Sequence, residues 1–211
     1  MPKFSIVLIV KNEEKTLPVL FESLGEFMKR GGDLVIVDTG SEDNTIRVAG
    51  DFGARVVAAG DAFLIYVYDA WAEEINSAFI EPGEAPAIVG GTRLFDYGRA
   101  RNFAHEHALN DMILITGADG YFTNMDIDAL DIICSGGIDR FSVDFLERVG
   151  NRYWLDQRLY DRRVYSWTGT MHEHLDPTAP KDTPKIATET LFMEHRPQNS
   201  DNRSKYLANL A

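Results

Sequence analysis

The chain has 211 residues, 45% of them apolar, which is ordinary for a globular protein long enough to bury roughly 70% of its unfolded surface in one large domain. Thirty-three acidic against twenty-one basic residues leave a net charge of −12, which excludes long-range attraction to nucleic acid or anionic lipid as the force that drives binding. No apolar run approaches the roughly 20 residues of a membrane span, Met1 to Lys3 lead into a βα unit rather than a signal peptide, and the lone Cys134, in the apolar run LDIIC, rules out an intrachain disulfide and reads as a buried, inert thiol; the expected setting is cytosolic.

FSIVLIV at 4–10 is a continuous apolar run, and Leu17, Leu20, Phe21, Leu24, Phe27 and Met28 follow at helical spacing. That is strand, turn, helix, with Lys11, Asn12 and Glu13 at the strand's exit. VIVDTGSEDNT at 35–45 repeats the pattern: an apolar strand ends on Asp38, and Ser41 is placed to cap a helix with Glu42 and Asp43 in its first turn. A carboxylate at the carboxyl end of a buried strand lies where open α/β sheets bind ligands. A dinucleotide fold would need glycines after the first strand so that the backbone could approach a pyrophosphate. The turn here is KNEEKT, without glycine, and carboxylates at the second helix's positive end repel phosphate. Carboxylates accept hydrogen bonds from sugar hydroxyls and base N–H groups, so Glu13 and Asp38 read as nucleoside holders. The plainer alternative makes both of them ordinary turn and cap residues.

A third strand is expected at ARVVAA, 54–59. The segment from Asp61 to Gly91 is the least regular: IYVYDAWAEEINSAFI has the spacing of an amphipathic helix, and EPGEAPAIVGG reads as loop. It forms either an insertion or lid over a cleft, or a surface excursion. FDYGRARNFAHEHALN at 95–110 reads as a loop entering a helix, with Arg99, Arg101 and Asn102 near its start. Arg93, Arg99 and Arg101, and likewise Arg152, Arg158, Arg162 and Arg163, form either a local basic groove or solvated faces. The strand MILIT runs into GADGYF, so Asp119 takes the same topological place as Asp38 and is able to hold a divalent cation; an Asp beside Gly is also a common turn residue. In the last third stand Trp154, Asp156, Trp167, His172, Glu173, His174 and His195. His172 and His174 share one strand face, a spacing too loose for a zinc site. NSDNRSKYLANLA closes the chain as a short helix over 201–211.

In order, IVKNEE, VDTGSEDNT, the GRARN helix, a strand into an acidic loop, RLYDRRVYSWTGTMHEHL and a late isolated histidine resemble the family 2 glycosyltransferases of GT-A fold. The likeness covers most of the chain except about 61–91. It implies an α/β fold, Rossmann-like with a mostly parallel central sheet flanked by helices, as a single domain over 1–211. It implies an inverting transfer from a nucleotide-diphosphate sugar, such as a UDP-sugar, to an acceptor hydroxyl. Carried over, Lys11, Asn12, Glu13, Asp38 and Asn102 belong to the donor site, Arg101 to its diphosphate, and Asp119 and His195 to a divalent cation, Mn or Mg. Glu173 resembles the family's late acidic base, with Asp156 as the runner-up. Gly117 stands where the family's metal motif has its first aspartate. A catalytically impaired nucleotide-sugar binder is therefore the second reading. A nucleotidyltransferase is a third, poorly served by KNEEKT. The acceptor implied is a saccharide, peptide, small molecule or modified nucleobase, and Trp154 and Trp167 are placed to stack on it or to pack in a core.

Overall fold

The computed structural model describes residues 1–79, 86, 88–135, 142–149, 152–170, 173–178 and 185–196, with the backbone alone at 78–79, 142–149, 152–157 and 185–189. In chain order its elements are β1 (Phe4–Val10), α1 (Leu17–Lys29), β2 (Asp33–Asp38), α2 (Thr45–Phe52), β3 (Arg55–Ala58), β4 (Leu64–Tyr66) and α3 (Asp69–Phe79). There follow β5 (Arg93–Phe95), α4 (Tyr97–Glu106), β6 (Met112–Ile115), β7 (Gly120–Met125), α5 (Ile127–Ser135), β8 (Ser142–Val149), β9 (Arg152–Asp161), β10 (Tyr165–Thr168), β11 (His174–Pro177) and β12 (Lys185–His195).

Among the described residues, one eight-stranded sheet runs in the order β3-β2-β1-β6-β9-β8-β12-β7. The first four strands form a parallel block. β9 pairs antiparallel with β6 and β8, β8 and β12 are parallel, and β7 closes the edge antiparallel to β12. Two small antiparallel ribbons, β4–β5 and β10–β11, lie outside this sheet.

The parallel block forms around β1, β2 and β6, which are apolar on both faces over most of their length, as strands covered on each side must be, with the more exposed β3 at its edge. Alternate side chains divide between two cores. Phe4, Ile6, Leu8 and Val10 of β1 join Leu17, Leu20, Phe21, Leu24 and Phe27 of α1 on one face. Val7, with Val35 and Val37 of β2 and Ile113 and Ile115 of β6, joins Ala100 and Ala104 of α4 on the other. Leu20 and Leu24 are fully buried, so truncating either to Ala would cost about 2–5 kcal/mol.

Two local expectations are corrected. The second helix begins at Thr45 with no acidic residue in its first turn, so Ser41 is not its cap; the Asp43 carboxylate instead accepts the Thr45 N–H at 2.9 Å, a local turn that competes with helix for the same residues. Ile65 and Tyr66 belong to β4, paired with Leu94 and Arg93, because the backbone across the segment closes a ribbon before α3 begins at Asp69. The 201–211 segment and most of EPGEAPAIVGG lie outside the described residues. Cys134 packs beside the first core, and burial pushes its thiol up to about 12, an unreactive group.

Candidate functional site

The carboxyl ends of β1, β2 and β6 come out side by side, with Val10 the register partner of Asp38 and Val7 that of Ile115. The two loops that follow β1 and β2 are bonded to each other. The Asn12 N–H donates to the Ser41 hydroxyl at 2.9 Å, and the Glu42 N–H donates to the Asn12 carboxamide oxygen at 2.8 Å. The Glu13 N–H donates to the Thr45 hydroxyl at 2.7 Å, while the Glu14 carboxylate accepts both the N–H and the side-chain amide of Asn44, at 3.0 and 2.9 Å. Asn12 turns the chain at φ 58°, a left-handed conformation that asparagine tolerates. Its side chain and backbone thus fasten the first loop to the second.

Asp38 is 3% exposed. Its Oδ2 accepts the Gly40 and Ser41 N–H groups, both at 3.1 Å, while its Oδ1 is buried and has no hydrogen-bond partner. A buried acceptor left unmatched by protein groups is costly, and water or a ligand is its ordinary partner.

Beside this carboxylate lies a cleft of about 410 Å³, inside the size range of small-ligand pockets. One wall is Ile9, Val10 and Lys11 at the end of β1, with Thr39 next to Asp38. Asp61 and the ribbon residues Leu64, Arg93, Leu94 and Phe95 form the other, and Tyr97 at the start of α4 completes it. Leu64, Tyr66, Arg93 and Phe95 share one ribbon face, since Leu64 pairs with Phe95 and Tyr66 with Arg93. Arg93 lies 5.5 Å from the centre of the Tyr66 ring, and that ring is exposed. Of the 61–91 segment, Asp61 and Leu64 reach the lining, and β5, which follows that segment, supplies the rest of this wall. Glu13, Asp38 and Asp119 are not in the lining itself: Asp38 adjoins it through Thr39, and Glu13 lies two residues beyond Lys11.

α4 links this cleft to the last third of the chain. Asp96 caps it by accepting the Arg99 N–H at 2.9 Å. Gly98 lets the backbone just after β10 press onto the helix, for a Cβ there would lie 2.4 Å from the Gly169 carbonyl oxygen. Asn102 accepts the Trp167 N–H and donates to the Trp167 carbonyl, both at 2.8 Å, so its carboxamide holds β10 against α4. Arg101 stacks 4.8 Å from the centre of the Trp167 ring and donates to Glu173 Oε1 from Nε at 2.8 Å and Nη2 at 2.7 Å. Beneath, the Trp167 indole N–H donates to the Tyr160 hydroxyl at 2.9 Å, which meets His105 Nδ1 at 3.1 Å. Burial, then the Arg162 charge, pushes His105 down to about 4, which favours the neutral imidazole in its contact with the Tyr160 hydroxyl.

Asp119 and His195 meet at the far side of the same sheet edge, Oδ2 to Nδ1 at 3.3 Å, because His195 of β12 pairs with Gly120 of β7. Burial alone would raise the Asp119 carboxyl. The hydrogen bond and charge of His195, with the Arg158 guanidinium, outweigh it and hold the group below its ordinary value. A Cβ at Gly117 would stand 2.7 Å from Asp119 Oδ1, so the Asp119 carboxylate leans over the glycine. No group of three or more metal-ligating side chains occurs among the described residues. One carboxylate and one imidazole nonetheless fit a divalent ion that takes its remaining ligands from phosphate oxygens and water.

The structure thus brings Lys11, Asn12, Glu13 and Asp38 to one end of the edge, and Arg101, Asn102 and Glu173 to the helix beside it, with Asp119 and His195 paired beyond. Asp156 lies in β9 opposite Phe145, and the side chains of Asp156 and Trp154, with His172, fall outside the described residues. Trp167 is a core residue, 8% exposed. Asp61, Tyr97 and the Tyr160–His105 pair escaped sequence reading, while Arg93, expected only in a local basic groove or on a solvated face, lines the cleft.

No protein-family model and no curated protein sequence matches the chain. Solved structures do. S. aureus TarS superposes with a TM-score of 0.56 at 13% identity, over 98% of this chain and 39% of that one. TarS 1–349 in complex with UDP-GlcNAc gives 0.55 at 13% identity, over 93% and 60%. Glucosyl-3-phosphoglycerate synthase from Mycobacterium tuberculosis, in complex with Mn2+ and UDP-Glc, gives 0.51 at 15% identity, over 98% and 76%. The chain spans 39% of the length of full TarS. Its fold is that of the GT-A glycosyltransferases, a mixed α/β sheet flanked by helices. No helix of the described residues is long and apolar enough to cross a membrane.

Proposed function

We propose that the protein is a nucleotide-sugar-dependent glycosyltransferase that acts with inversion, in a cytosolic setting that keeps Cys134 reduced. The observation that carries this reading is Asp38: a carboxylate 3% exposed with one oxygen buried and unmatched, at the end of a parallel strand whose next residue lines a cleft. Such an oxygen suits a base N–H or a ribose hydroxyl. Lys11, Asn12 and Glu13 complete the nucleoside end. The fold is one that holds UDP-GlcNAc in TarS and UDP-Glc with Mn2+ in the mycobacterial synthase, and a UDP-sugar is the donor proposed here.

Tyr97 lines the cleft and Arg101 follows it by one helical turn on the same face of α4, which suits Arg101 to the donor's diphosphate. Asp119 and His195 would hold a divalent cation there, whose charge would offset that developing on the leaving diphosphate. Glu173 is the base, with Asp156 as the alternative: it takes the proton of the acceptor hydroxyl as that oxygen bonds to the anomeric carbon. The bond from that carbon to the phosphate oxygen breaks, and the nucleoside diphosphate leaves with the electron pair. Incubation with a panel of nucleotide sugars should release free nucleoside diphosphate. Binding without any release would favour the second reading, a nucleotide-sugar binder, motivated by Gly117 in place of a second carboxylate.

A further inference from the structure

The two charged groups assigned to opposite sides of the transfer are bonded to each other. Both the Nε and Nη2 of Arg101 point to one oxygen of Glu173, at 2.8 and 2.7 Å, and the two side chains are only 15% and 13% exposed. The pair is seated: the Trp167 ring lies under the guanidinium at 4.8 Å. Trp167 in turn is fixed by its indole N–H on Tyr160 and by the Asn102 carboxamide on its backbone. A guanidinium so held presents its fork to a carboxylate, and the same fork matches a phosphate edge.

We propose that Glu173 is a latch on the donor site: in the free protein it occupies Arg101, an arriving nucleoside diphosphate displaces it, and only then is the carboxylate free to take a proton from the acceptor. This rests on the donor-site reading above and extends it to the order of events. An acceptor hydroxyl that entered before the donor would meet a carboxylate already engaged by a cation. The latch therefore imposes donor first, acceptor second. It also has a consequence opposite in sign to that of an ordinary binding residue: removing the charge of Glu173 leaves Arg101 without its internal competitor, and the diphosphate binds more tightly.

The test is calorimetric titration of wild type and of the Glu173→Gln and Glu173→Ala variants with UDP, GDP, ADP, CDP and dTDP, and with the nucleoside matching the tightest of them. Two variants are used because one alone could perturb the fold. The expected result is a dissociation constant for the diphosphate about fivefold lower in both variants, the scale of one partly buried ion pair no longer in competition, with the nucleoside bound equally by all three proteins. Equal diphosphate affinity in wild type and variants would overturn the latch while leaving the donor site standing, and so would weaker binding in the variants. Absence of binding to wild type by every diphosphate would overturn the donor-site reading and the latch with it.

Discussion

The two ends of this sheet edge, the proposed nucleoside end and the proposed transfer end, are built differently. At the nucleoside end, polar side chains bond to backbone: Asn12 to Glu42, Asp38 to Gly40 and Ser41, Glu14 to Asn44. Those bonds hold two loops in one shape and leave Asp38 Oδ1 as the one buried side-chain acceptor without a partner among the described residues. At the transfer end, charged side chains bond to each other: Arg101 to Glu173, and Asp119 to His195. The first end is fixed by backbone hydrogen bonds, while the second has charged side chains paired with each other, so in the proposed reaction it would have to exchange partners. Rigid positioning suits recognition, since it lowers the ordering cost of binding. Paired charges suit a step in which charge moves, since each partner is held in place until a stronger one arrives.

Four experiments would break or sharpen that contrast. The largest effect belongs to the transfer end: Glu173→Gln should lower the rate of sugar transfer by about 10²–10⁴-fold, the usual scale of general-base catalysis, and a rate within a few-fold of wild type would shift the base to Asp156. Next is the platform beneath it. His105 lies near 4 when folded against 6.5 when free, so the unfolded chain binds the extra proton, and stability is complete above pH 6.5 and falls as pH drops toward 4. The loss is on the order of 3 kcal/mol at about 1.4 kcal/mol per unit. Denaturant titrations of wild type and His105→Gln between pH 4 and 7 should diverge in that window, and parallel curves would contradict the burial of a neutral imidazole.

At the nucleoside end, Asp38→Asn keeps an oxygen for the Gly40 and Ser41 N–H groups but puts an amide where the unmatched oxygen was. Nucleoside affinity should fall about 30-fold, roughly 2 kcal/mol for a hydrogen bond to a charged group, with melting temperature nearly unchanged. Unchanged affinity would mean that the orphan oxygen meets no ligand. The smallest effect is expected for Asn12→Ala, which removes the acceptor for the Glu42 N–H and puts alanine at φ 58°. It should cost about 1 kcal/mol of stability, seen as a shift in denaturant midpoint.

The parallel half was legible from the chain. A strand covered on both sides is apolar over most of its length, and FSIVLIV and DLVIVD announce it, as they announce Lys11 and Asp38 at their ends. The amphipathic spacing of α1 was equally plain. Ser41 misled because Ser, Asp and Asn serve turns and helix caps alike, and only the partner chosen by the Asp43 carboxylate decides between them. Tyr66 misled in a different way: a three-residue strand is shorter than the window in which either periodicity can be read.

Arg101 and Glu173 are 72 residues apart in the chain, and no local pattern says that they touch. The amino-acid sequence by itself determined which strands are buried and which polar residues stand at or just beyond their ends, because those properties depend on neighbours within a turn or two of chain. Tertiary structure alone decided that a glycine, Gly98, lets β10 close on α4, that the β4–β5 ribbon walls the cleft, and that the arginine and the glutamate face each other over an indole. Such pairings follow from how helices and strands pack in three dimensions, where a close backbone approach sets which charges share a few ångströms of space.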